Sequence, residues 1–97
     1  MALVNVVEIC KEDGRLHNTT VADFVSKEEG LRIAKSRAEA NLRRMEKELE
    51  GRTKSDREWF QDEVWMENKT SHVPVEIWHK SRFELPHLVM GWRLDLV

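Results

Sequence analysis

Apolar residues recur at two different periods along this chain, and the switches between them mark its elements. Leu3 to Cys10 is β-branched and apolar on both faces, the pattern of a central strand. Asp13-Gly14 then supplies a turn, because glycine tolerates φ > 0. Leu16 to Val25 pairs back as a second strand, with Thr19, Thr20, Val21, Phe24 and Val25 suited to a pleated surface.

The period then changes. Ser26-Lys27-Glu28-Glu29 is a capping box, in which the Ser26 hydroxyl accepts the N–H of Glu29 and Glu29 reaches back to Ser26. Leu31, Ala34, Ala38, Leu42, Met45 and Leu49 follow at helical spacing and form one apolar face. Glu28–Arg32 and Glu39–Arg43 are spaced as favourable ion pairs along it. The pattern predicts a helix over 27–50 stopped near Gly51, roughly 36 Å long, against about 17–27 Å for an ordinary strand. The Gly51 end should project past the sheet.

Ser55-Asp56-Arg57-Glu58 repeats the capping-box pattern and predicts a short second helix. On its wheel Trp59 lies with Met66 and Phe60 with Val64, while Trp65 falls on the far side beside Glu58 and Asp62. A rival pattern makes Val64 to Glu67 a strand turning at Asn68-Lys69-Thr70-Ser71. Val73 to Trp78 reads as a strand, edge-placed or just beginning at Pro74. Leu88, Met90, Trp92, Leu94 and Leu96 alternate with Val89, Gly91, Arg93, Asp95 and Val97, a half-buried strand. Together these elements predict an α+β fold in a single domain, residues 1–97. Its sheet is small and antiparallel, with about four strands and one long and one short helix on one face, in the chain order β-β-α-α-β-β.

Composition narrows the function classes. The chain has 97 residues, 35% of them charged, and a net charge of −2. It has room for one core, and nucleic-acid binders of this size are usually clearly basic. The charge is unevenly spread: Lys and Arg concentrate between Lys27 and Lys54, and acids dominate from Asp56 to Glu67. Cys10 is the lone cysteine, which fits a reducing, cytoplasmic setting. The apolar start lacks a positive n-region and reads as a strand rather than a signal peptide. No apolar run reaches the roughly 18 residues of a membrane span.

Catalytic motifs are missing. His17, His72, His79 and His87 show no metal-ligand spacing, although His72 and His79 can converge if their strands pair. The four glycines stand apart, so no phosphate loop is formed, and there is no GxSxG elbow. The expectation is a protein that is not an enzyme, with no cofactor and no metal.

Two charged constellations remain. Arg37, Arg44 and Lys47 share the back of the long helix with Ile33 and Ala40. Together with Arg32, Arg43, Arg52 and Lys54, this basic stripe can track phosphates. It can equally be a solvated face or the seam of a homodimer. The acidic aromatic segment is the stronger candidate: Glu58, Asp62, Glu63, Trp65 and Glu67 combine like charges, which cost folding energy, with a tryptophan suited to anchor an interface. The functional expectation is a non-catalytic interaction protein, monomer or homodimer. It binds a basic protein or nucleoprotein complex, in part by placing carboxylates where nucleic acid would lie. By analogy of size and charge layout it falls with phage-encoded inhibitors of host defence or transcription machinery, the anti-CRISPR type included. The alternative is a small nucleic-acid-binding regulator using the basic stripe.

Overall fold

The computed structural model describes residues 2–55, 62–81 and 84–97. Strands β1 (Leu3–Glu12) and β2 (Arg15–Ser26) form a hairpin, followed by helix α1 (Lys27–Ser55) and strands β3 (Glu63–Glu67), β4 (Val75–Lys80) and β5 (His87–Leu96). All pairings are antiparallel, and the sheet order is β2-β1-β5-β4-β3. The fold is α+β, with five strands and one helix among the described residues rather than four strands and two helices. Asp13 and Gly14 both take positive φ at the hairpin turn, the geometry of a tight two-residue connection.

The helix begins as its sequence predicts. Ser26 Oγ accepts the backbone N–H of Glu29 at 3.1 Å. The Glu29 carboxylate does not return to Ser26 but holds Arg32 through two hydrogen bonds. The helix does not stop at Gly51; it runs on to Ser55, because a solvent-facing glycine costs only about 1 kcal/mol in a helix interior. Ser55 therefore belongs to the last turn of α1 and cannot start a new helix. The predicted second helix is half overturned: 63–67 is a strand, and 56–61 lie outside the described residues.

α1 contacts all five strands. Ala34 and Ala38 are fully buried against Val4, Val6, Val75, Ile77, Met90, Trp92 and Leu94, with Leu42 and Met45 packed at the margin. The small residues allow close approach, and Gly30 allows the closest: a Cβ there would sit 2.9 Å from Val4 Cγ2 and 3.2 Å from Leu94 Cδ2. Ile33, expected on the outer face, packs against the core. The alternation of β5 is broken once. Ile77 pairs with Met90 and Trp78 with Leu88, so Val89 is an extra residue. Val89 and His87 thereby turn toward α1, where they line a cavity with Met45 and Leu49.

Candidate functional site

β3 is an edge strand, and its alternation divides the acidic segment between two faces. Val64 stands opposite His79, and both line the cavity beneath α1. Glu63, Trp65 and Glu67 therefore point to the other face, opposite Lys80, Trp78 and Glu76 respectively. Among the described residues no helix or second sheet packs on that face. Trp65 and Trp78 are directly opposed and each half-buried.

Each indole is tied to a carboxylate two residues along its own strand. Trp65 Nε1 donates to Glu67 Oε1 and Trp78 Nε1 to Glu76 Oε1, both at 3.1 Å. One ammonium serves both carboxylates: Lys69 Nζ lies 2.8 Å from Glu67 Oε2 and 3.8 Å from Glu76 Oε1. It also sits 5.2 Å from the centroid of the Trp78 ring, within cation–π range. The hydrogen bond from Lys69, and then that from Trp65, holds the Glu67 carboxyl below the usual carboxylate range, and Glu67 in turn raises Lys69. The face thus carries a built cation seat of two carboxylates and an aromatic ring, occupied by the protein's own lysine.

Asp62 is separated from this face. Its carboxylate is 8% exposed and accepts from His79 Nε2 at 3.1 Å. The predicted row of Glu58 and Asp62 on one helical face is therefore not formed at Asp62, which precedes a strand. Glu58, Trp59 and Phe60 lie outside the described residues. His79 meets His87 edge to face at 5.0 Å between centroids, so the imidazole that converges with His79 is His87 rather than His72. The adjoining cavity measures about 560 Å³ and takes Arg44 and Glu48 from the helix. Among the described residues no group of three or more His, Cys, Asp or Glu is placed to hold a metal ion. A histidine–carboxylate pair can move a proton, but among the described residues no hydroxyl or thiol lines this cavity to serve as its nucleophile. Burial, then Glu12 and Glu8, pushes the Cys10 thiol up, which keeps it protonated and poorly nucleophilic.

The basic stripe is also divided. Arg37 turns to the sheet and donates to both oxygens of Glu8, at 2.9 and 3.1 Å. Trp92 Nε1 donates to the same Glu8 Oε1 at 3.0 Å. Arg43, Arg44 and Lys47 stay exposed on α1, while Arg52 and Lys54 fall on its last turns, with side chains outside the described set. Sequence reading missed Glu76, Trp78 and Lys69 as members of the tryptophan face. Their signal was present in the i,i+2 pairs Trp65/Glu67 and Glu76/Trp78, which share a face only if both segments are strands.

No described helix is long and apolar enough to cross a membrane. Comparison with protein-family models, with curated proteins and with solved structures finds no match to this chain.

Proposed function

We propose that this is a non-catalytic interaction protein that engages a basic, arginine-bearing surface of a partner through Trp65 and Trp78, with Glu63, Glu67 and Glu76 as the charged frame. The observation that carries the reading is the Lys69 ammonium seated over Trp78 between Glu67 and Glu76. A site that holds its own lysine has the chemistry for a partner's cation. A guanidinium suits it better, because it stacks on an indole and pairs with a carboxylate through two parallel bonds. Such surfaces are common where a protein complex handles nucleic acid. A cytoplasmic inhibitor that blocks one, of the kind phages encode against host defence or transcription, is the form of this function we favour.

Tryptophan fluorescence tests the chemistry directly. A hexa-arginine peptide should perturb the emission more strongly and at lower concentration than hexa-lysine. Lys69→Ala should vacate the seat and tighten binding, whereas Glu67→Lys with Glu76→Lys should abolish it. Bare DNA and RNA should leave the emission unchanged. Tight binding of either, lost on replacing Arg43, Arg44 and Lys47, would establish the nucleic-acid-binding alternative instead.

A further inference from the structure

We infer that the cleft between the first half of α1 and the β3–β4 loop is a binding site for a small phosphorylated molecule. This proposal does not depend on the function assigned to the tryptophan face. The cleft measures about 330 Å³, within the range of small-ligand pockets. One wall is Lys27, Leu31 and Lys35, at i, i+4 and i+8 on one face of the helix. The other is the loop bearing Asn68, Thr70 and Ser71. A smaller depression of about 210 Å³ adjoins it, sharing Lys27, Ser71 and Leu94 and adding His72. Among the described residues neither lining contains an aspartate or glutamate, in a chain whose acids outnumber its bases, 18 to 16.

Four features select the ligand class. Lys27 and Lys35 lie about 12 Å apart along the axis, so their flexible stems can converge on one phosphate above Leu31. Lys69 also borders the cleft, but its ammonium is held by Glu67, which leaves Lys27 and Lys35 as the cations for a ligand. Lys27 is the first residue of the helix, where the macrodipole opposes a positive charge and favours an anion. Of the two first-turn acids, Glu28 and Glu29, Glu29 is committed to Arg32. Thr70 Oγ1 already accepts the Val73 N–H at 3.0 Å, which leaves its hydroxyl proton available as a donor. Leu31, Pro74 and Leu94 form an apolar floor, which calls for an organic body attached to the phosphate rather than a bare ion.

Phenyl phosphate is the probe, with inorganic phosphate and phenol as separate arms, followed by amide chemical shifts at low salt. Shifts should be confined to Lys27, Leu31, Lys35 and residues 68–72, and phenyl phosphate should bind about tenfold more tightly than inorganic phosphate. Lys27→Gln with Lys35→Gln should weaken binding at least about tenfold, while Lys11→Gln leaves it unchanged. Both cleft lysines are exposed, and an unchanged melting temperature verifies that the double variant is folded. The assignment is overturned by absence of shifts at millimolar probe, by undiminished binding in the double variant, or by shifts that follow every lysine. Equal affinity for inorganic phosphate would overturn the organic-ligand part.

Discussion

Among the described residues the same chemical unit, an indole N–H on a glutamate that a base also holds, is built at two places, with opposite consequences. At the centre of the sheet, Trp92 is fully buried, and its partner Glu8 is gripped by Arg37 from the helix. Those bonds join residues 84 and 29 positions apart and tie β5, β1 and α1 together. At the β3–β4 end, the bonds of Trp65 and Trp78 run between residues two apart on one strand. They shape a surface and tie nothing distant. Connectivity, rather than the bond itself, decides whether such a unit stabilises the fold or presents a face.

Substitution can break that contrast. Trp92→Ala should cost about 3–5 kcal/mol by the usual loss for a buried aromatic, a large fraction of the stability of an ordinary domain. Trp78→Ala should cost only about 1–2 kcal/mol, since the ring is half-buried, yet remove most binding of the arginine peptide. Chemical denaturation of the two variants side by side checks this, and equal losses would erase the distinction. Glu8→Gln leaves Arg37 without a charged partner and should cost about 1–3 kcal/mol. Glu67→Gln should lower the melting temperature only slightly and reduce peptide binding.

Acid gives the smallest expected effect and sharpens the comparison further. The hydrogen bond from Lys69 lowers Glu67 and that from Arg93 lowers Asp95, below their ordinary values of 4.5 and 3.8. A carboxylate lowered in the folded state contributes stability that is full above its unfolded pKa and is lost as pH falls through the folded one. Stability should therefore decline below pH 4.5, with Asp95→Asn flattening the lower part of the decline. Urea midpoints from neutral pH down to below pH 3.8 measure it. A midpoint that rises on acidification would contradict the pairing.

The frame was legible wherever period and punctuation agreed. The Ser26 cap and the Leu31-to-Leu49 face gave the helix its start and orientation, and the alternation through Met90, Trp92 and Leu94 gave a half-buried strand. Legibility failed where a segment was too short for its period to be distinctive. Over 63–67 a strand and a helical wheel both place Trp65 apart from Val64, and the false cap at Ser55 tipped the reading to helix. The pairing of β3 with β4, a tertiary fact, decides it. The tryptophan face was unreadable for the same reason, since Trp65 and Trp78 become neighbours only through that register. Arg37 reads as a solvent residue until the helix is docked and Glu8 stands beneath it.

The position of β5 between β1 and β4 also bears on how the chain assembles during synthesis. The β1–β2 hairpin leaves the ribosome first, but its inner edge gains a neighbour only when β5 follows, 60 residues after Ser26. At elongation rates of about 5–20 residues per second, that interval is about 3–12 s. Through it Val4 and Val6 lack their β5 partners, Leu96 and Leu94, and the β3–β4 hairpin cannot join the rest of the sheet. The chain's vulnerability to premature pairing with other nascent polypeptides therefore spans that interval, until His87 to Leu96 slot in.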